Sequence, residues 1–406
     1  MAAAGMAAWS SFAPARAHGA NERLRLGIIG CGGIVREHLG ALLQRRDSDN
    51  VEIAMLCDVY ERRLRQYLPL IESHQSTPEL AADYRALLDR SDIDHVLICT
   101  PEHSHAHITL DALDAGKHVY VEKPVAHTID EAQAIVAKAA ETGLKVQVGV
   151  QSMSEDSYLA AREAIASGLL GKVVSAQIDY VRNNALKQPL WRRDGEGSDK
   201  LPPSLNWEAW QRPASPREWD PRRYYEWRCY RDYSGGIATD LFVHRVTRVI
   251  RACNLGMPSR VCGMGGIYSW NDGRDLPDSM ELLAEYPAVA GITDGMTLHV
   301  LGTMANDDGN AHCIRGTEAT LYFEDPGFVV KSDKGGEVLA THTRTGGEDM
   351  GPHHENHHAA IRTGAALHCP PELGLHGLAV CRMANLSLFE GRLMRWNTAT
   401  STAEFA

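Results

Sequence analysis

The sequence predicts an α/β protein, and three observations carry that reading. An apolar run at 24–29 enters a turn containing Gly30, Gly32 and Gly33 and continues as a helix. Short apolar strands then alternate with helices as far as residue 150, the pattern of a parallel, doubly wound sheet. Beyond residue 260 the chain changes to alternating strands separated by Gly, Asn or Asp clusters, as antiparallel strands require.

The 406 residues suffice for two domains. Hydrophobic residues make up 44% and charged residues 23%, enough to bury sizeable cores. A net charge of −11 with no basic arm gives no nucleic-acid footprint. No apolar run reaches the roughly 18 residues a membrane span needs. The nine cysteines lack CxxC or finger spacing and sit mostly in apolar strands, so they read as reduced, buried hydrophobes. Residues 1–22 form an Ala-rich leader that ends near Ala15-Arg16-Ala17, an A-x-A-like cleavage site without a charged n-region. The leader is expected to be the remnant of a twin-arginine export signal, which would place the protein in the periplasm. The alternative is a disordered N-terminus on a cytoplasmic protein. The expected division is 23–152 for the nucleotide-binding domain and 153–406 for the second.

Taken in order, the strand 24–29 and the helix 34–44 flank a glycine turn that leaves N–H groups free at a helix N-terminus, a site for a pyrophosphate. This reads as the dinucleotide-binding turn of a Rossmann domain, with Val35 where the fingerprint usually has Gly or Ala. The strand 51–57 ends at Asp58, placed to accept hydrogen bonds from the adenosine ribose and to repel a 2′-phosphate, so NAD is favoured over NADP. Arg62 and Arg63 soften that preference, and Asp58 can equally cap the following helix. A helix at 84–88 and a strand at 95–99 open into Thr100-Pro101-Glu102-His103-Ser104-His105. A helix at 106–115 stops at Gly116. The strand 118–121 runs into Glu122-Lys123-Pro124, and a helix at 129–141 and a strand at 145–150 complete the alternation. These polar motifs all fall at carboxyl ends of strands, where such sheets bind ligands.

GIIGCGG, TPEHSH and AGKHVYVEKP, in this order and spacing, resemble the glucose–fructose oxidoreductase / inositol dehydrogenase (Gfo/Idh/MocA) family. The resemblance implies a Rossmann domain followed by an α/β domain with an open, mainly antiparallel sheet. It also implies a nicotinamide cofactor, a sugar, cyclitol or related polyol as substrate, and a homodimer or homotetramer. The family loop usually reads T-P-N-x-x-H, and this chain departs from it at Glu102. The candidate nucleotide contacts are Gly30, Gly32, Gly33, Ile34, Asp58, Thr100, Pro101, His105, Glu122, Lys123 and Gln151.

In the second half, a helix at 154–167 leads to an alternating strand at 173–181. The segment 182–233 reads as irregular and holds Trp191, Trp207, Trp210, Trp219 and Trp227 among arginines that include Arg192, Arg193, Arg222, Arg223, Arg228 and Arg231. So long a loop is either functional or a lid. Its aromatic faces suit sugar rings, and they can equally form a private core. Trp191 and Arg228 are singled out as substrate contacts.

Next come Gly235-Gly236 and, in the family pattern G-G-x-x-x-D-x-x-x-H, Asp240 and His244, four apart on one helical face. Strands follow at 260–268, 296–304, 311–323, 328–331 and 337–342. The run His353-His354-Glu355-Asn356-His357-His358 contains i,i+4 pairs that can bind zinc, but the family needs no metal and none is assigned. A final helix is expected at 378–392.

The expected reaction transfers a hydride between nicotinamide and a secondary alcohol carbon. Lys123 supplies positive charge near the oxygen, His244 accepts the proton, and Asp240 orients substrate, His244 or both. Lys123, Asp240 and His244 also touch the substrate. Two alternatives stay open: a redox-neutral enzyme with tightly bound NAD, of glycosidase or sugar-isomerising type, and a non-catalytic binding protein on the same fold.

Overall fold

A computed structural model describes residues 22–184, 189–192, 199–333 and 336–406. Residues 1–21 of the leader and Arg193 lie outside the described residues. The first sheet contains β1 (Leu24–Ile29), β2 (Val51–Cys57), β3 (Glu79–Ala81), β4 (His95–Ile98), β5 (His118–Glu122) and β6 (Val146–Gly149). Its order is β3-β2-β1-β4-β5-β6, with every pairing parallel. The strand order reverses between β1 and β4, and a crevice opens there at the carboxyl ends. Central strands are buried on both faces, which explains runs such as HVLI without alternation.

The second sheet is built from β7 (Val173–Asn183), β8 (Arg260–Gly266), β9 (Ser279–Tyr286), β10 (Met296–Thr303), β11 (Ala305–Asn306), β12 (Cys313–Gly316), β13 (Ala319–Glu324), β14 (Gly327–Ser332), β15 (Val338–Thr343), β16 (Met394–Asn397) and β17 (Thr402–Phe405). It is antiparallel except where β10 pairs with β7. One face packs on the helices Val243–Ala252 and Pro371–Glu390 through a large apolar cluster.

Three expectations change. The stretch 311–323 is not one strand but the hairpin of β12 and β13, turned at Thr317-Glu318, where the polar run Arg315-Gly316-Thr317-Glu318 interrupts the alternation. β9 has no counterpart among the expected strands, although Met280, Leu282, Ala284 and Tyr286 alternate inward. The last long helix begins at Pro371, with proline in its first turn. Gly374 and Gly377 look like helix breakers in the sequence. They serve close packing instead: a Cβ on Gly374 would lie 2.8 Å from Val148, and one on Gly377 would strike Thr247.

All nine cysteines stand free, eight of them buried. Among the described residues no helix is long and apolar enough to cross a membrane.

Candidate active site

A cavity of about 790 Å³ opens along the carboxyl ends of the first sheet. Its floor is the turn after β1. Gly30 has φ +86°, and a Cβ there would lie 2.8 Å from the backbone of Cys99 and Thr100, so only glycine fits. Gly32 and Gly33 line the cavity with nothing within 4 Å of their Cβ positions, so the backbone is bare toward the space. The helix Val35–Gln44 starts there without a side-chain cap. Uncapped N–H groups and a bare backbone suit a pyrophosphate, and the residues present therefore fit a dinucleotide.

Asp58 lines the same cavity. Its carboxylate accepts from the Cys31 N–H at 2.7 Å and the Tyr60 N–H at 2.8 Å, so it braces the glycine turn and the loop after β2 together. Burial pushes its carboxyl above the usual range despite those bonds. Arg63 lies beside it.

Thr100, Pro101, His105, Glu122 and Lys123 line the cavity from β4 and β5. His105 braces two of these loops: Nε2 faces the Thr100 carbonyl at 2.8 Å, and Nδ1 faces the Pro124 carbonyl at 2.7 Å. Gln151 occupies a short 3₁₀ turn after β6 and is not among the cavity-lining residues.

At the end of β5, two distant stretches of the chain meet in one charge cluster. The Lys123 ammonium donates to Asp240 Oδ1 at 2.8 Å and to the Asp240 carbonyl at 2.9 Å. Arg228 Nε donates to the same Oδ1 at 3.0 Å. Asp240 Oδ2 accepts nothing among the described residues. The two cations hold the buried Asp240 carboxyl far below the usual range, so it stays ionised. Asp240 sits in a π-helical turn, Ala238–Phe242, which passes into the helix carrying His244. Burial and the nearby Lys123 cation push His244 down to about 3, so the imidazole is neutral at physiological pH.

Glu102, the departure from the family loop, has a definite task. It is buried and accepts from Ser234 Oγ at 2.6 Å, the Gly235 N–H at 3.0 Å and Thr239 Oγ1 at 2.8 Å. It thereby clasps the segment that delivers Asp240 to the first domain. Nothing local in the sequence announces this, since its partners lie more than 130 residues away.

The insertion after β7 supplies the opposite wall. Trp207 stacks on Trp210 at 4.9 Å, and Trp219 and Tyr224 complete a private core. The same unit is fastened to the loop after β2 by the Tyr60–Leu205 bridge, Asn206 N–H to the Val59 carbonyl (2.9 Å) and Glu61 N–H to the Ser204 carbonyl (3.2 Å). Trp210, Pro213, Tyr224, Tyr225 and Trp227 face the cavity beside Asp58 and Arg63. Arg192 spends its charge on Glu226 within the insertion and on Asp272 in the loop between β8 and β9, and Arg223 on Asp232. Trp191 is not brought to the cavity; it packs half-buried between two apolar clusters. Lys123, Asp240 and Arg228 are thus bonded together, with His244 close enough to feel the Lys123 and Asp240 charges. Lys123 and Arg228 line the cavity, Asp240 and His244 stand behind them, and Trp191 and Gln151 do not reach it.

The histidine run forms the helix Met350–Thr363, which lies against the first domain. His353 Nε2 faces the Val148 carbonyl (2.9 Å), His354 faces His38, and His358 faces Asp49. Among the described residues no group of three or more His, Cys, Asp or Glu side chains is arranged to hold a metal ion.

Residues 24–150 match the model of the GFO_IDH_MocA oxidoreductase family, NAD-binding Rossmann fold. Inositol 2-dehydrogenase of Pseudomonas syringae pv. syringae is 31% identical over 188 residues, 46% of this chain and 54% of that protein. The chain spans about half the length of the curated relatives it matches. Two solved structures share the fold over nearly the whole chain. The WlbA dehydrogenase of Bordetella pertussis, in complex with NADH and UDP-GlcNAcA, superposes with a TM-score of 0.66 at 17% identity, covering 92% of this chain and 99% of that one. The aldose-aldose oxidoreductase of Caulobacter crescentus gives 0.66 at 19%, with 92% and 99% covered.

Proposed function

We propose that this chain, whose residues 24–150 match the model of the GFO_IDH_MocA oxidoreductase family, NAD-binding Rossmann fold, is an NAD-dependent oxidoreductase acting on a secondary alcohol of a sugar, cyclitol or related polyol. The observation that carries this reading is the Lys123–Asp240–Arg228 cluster, with a neutral His244 one turn away, at the cavity end of β5. The inositol dehydrogenase and aldose oxidoreductase relatives support the substrate class.

A bound nicotinamide supplies the hydride acceptor or donor. Gly30 to Ile34 would hold the pyrophosphate, and Asp58 the adenosine ribose. The chain's own groups then manage charge and proton. Asp240 stays ionised, and its unengaged Oδ2 accepts a hydrogen bond from a substrate hydroxyl. Lys123, anchored on Asp240 Oδ1, stabilises negative charge growing on the reacting oxygen. His244 is neutral and takes the hydroxyl proton; the Asp240 carboxylate nearby favours the imidazolium that results.

Lys123→Ala should lower turnover by about 10²- to 10⁴-fold while NAD still binds. Near wild-type turnover in this variant would sink the assignment.

The aromatic insertion favours a second reading. Strapped to the loop after β2 and facing Asp58, it closes the adenosine end of the cavity. Such a wall suits a cofactor that is retained and restored within one turnover, as a redox-neutral glycosidase or isomerase requires. Denaturing the purified protein and assaying the released nucleotide separates the two. Stoichiometric NAD(H) surviving gel filtration favours retention, whereas an empty protein that binds added NAD⁺ favours an ordinary dehydrogenase.

A further inference from the structure

The histidine-rich helix plays no part in the proposed reaction, yet one of its rings reaches the cavity wall through a chain of hydrogen bonds. Glu122, the last residue of β5, lines the cavity beside Lys123. Its side chain is buried. Oε2 accepts from the Lys123 N–H at 3.2 Å, and Oε1 faces His38 Nε2 at 3.0 Å. Behind it, His38 Nδ1 lies 2.9 Å from His354 Nε2. Both rings are buried, and Tyr120 stacks on His354 at 4.6 Å and meets His38 edge-on at 5.4 Å. Gly149 keeps room for the carboxylate, since a Cβ there would lie 2.7 Å from Glu122 Oε1.

One proton order satisfies the whole chain with neutral rings. His354 Nε2–H donates to His38 Nδ1, and His38 Nε2–H donates to Glu122 Oε1. A carboxylate inside an apolar core is ionised only when such donors meet it. Burial pushes the Glu122 carboxyl up, but the His38 bond and the Lys123 cation outweigh burial and hold it below the usual range.

We propose that the Glu122–His38–His354 chain sets the redox preference of the bound cofactor, by fixing a negative charge in the cavity wall that favours the oxidised, cationic nicotinamide over the reduced, neutral one. The proposal rests on the NAD-binding reading of the cavity. His38 and His354 are positioning residues, because they act only through Glu122.

The test measures the Kd of NAD⁺ by calorimetry and that of NADH by its fluorescence, separately, on the full chain. Glu122→Gln should raise the ratio of the NAD⁺ Kd to the NADH Kd by about tenfold, equivalent to about 30 mV in the potential of the bound couple. His38→Met, which fills the site without a donor, should move the ratio the same way by about three- to tenfold. His354→Met should do so more weakly. His38→Gln keeps an N–H that can reach the carboxylate and should restore most of the wild-type ratio. If His38→Met does not accumulate as folded protein, Glu122→Gln and His354→Met carry the test. A ratio unchanged in Glu122→Gln overturns the proposal, as does a His38→Met variant in which both constants rise together, the mark of mere loosening. A wild-type protein that binds neither nucleotide overturns the reading of the cavity itself, a result distinct from either.

Discussion

The cradle at Gly30 to Ile34 is made of main chain, whereas the cluster around Asp240 is made of side chains drawn from two distant stretches of the chain, Lys123 from one and Arg228 and Asp240 from the other. The cradle is local: a strand, a turn and a helix start within a dozen residues, and its chemistry is the N–H groups any sequence carries. What it demands of side chains is their absence. The cluster is the reverse. Lys123 and Asp240 are 117 residues apart, and the buried Asp240 carboxylate stays ionised because two cations meet it. A main-chain site should therefore fail through shape, and a side-chain site through charge.

The largest effect should follow from breaking the charge. Asp240→Asn leaves Lys123 and Arg228 facing a neutral amide. Turnover should fall by about 10²- to 10³-fold and stability by about 3 kcal/mol, since a partner has been removed from a buried ionic network. NAD affinity should stay within about twofold, because the cradle is untouched. Parallel turnover assays, urea unfolding and NAD titration check all three. A large loss of NAD affinity would show that the two halves are one unit and break the comparison.

Shape is tested by two glycines that differ in one respect. Gly30→Ala introduces a methyl where φ is +86° and backbone stands 2.8 Å away. Stability should fall by about 1–3 kcal/mol, together with NAD affinity. Gly32→Ala meets open space within the cavity, so the melting temperature should hold while NAD affinity drops by about tenfold or more. Thermal melts and fluorescence titration of the two variants separate strain in the fold from obstruction of the site. Equal melting losses in both would refute the distinction.

The same contrast explains what was legible in the sequence. The cradle, Asp58 and the Glu122-Lys123 strand end could be read because a strand–turn–helix announces itself within a short window. The partnership of Asp240 with Lys123 was within reach only through the motifs that carry the family likeness. Glu102 looked like a blemish in a motif, because the Ser234, Gly235 and Thr239 groups it clasps are far away in the chain. The histidine run suggested metal for the same reason. Its true partners, His38, Asp49 and Val148, belong to the first domain, and no spacing within the run reveals them. Trp191 illustrates the opposite error: residue type suggested a sugar platform, and packing used it as filler.

The smallest expected effect concerns protons. His353 is buried on the first domain, and burial pushes its imidazole down to about 4. In the unfolded chain the same ring titrates near 6.5. Between those values the unfolded state binds more protons than the folded one. The stability this ring contributes is therefore full above about pH 6.5 and is lost as pH falls toward 4, by up to about 1.4 kcal/mol per pH unit. His103, which anchors the loop after β4 on the Trp210 carbonyl and is likewise held at about 4, adds to the slope. Urea unfolding at pH 7 and pH 5 should show a marked loss in the wild type. His353→Gln should be less stable at pH 7, having lost the bonds to Ser154 and Val148, yet should lose about 1–2 kcal/mol less than the wild type between the two pH values. Identical pH slopes would mean that the ring is not held neutral by burial. The side-chain seam between helix and sheet would then be as indifferent to charge as the backbone cradle.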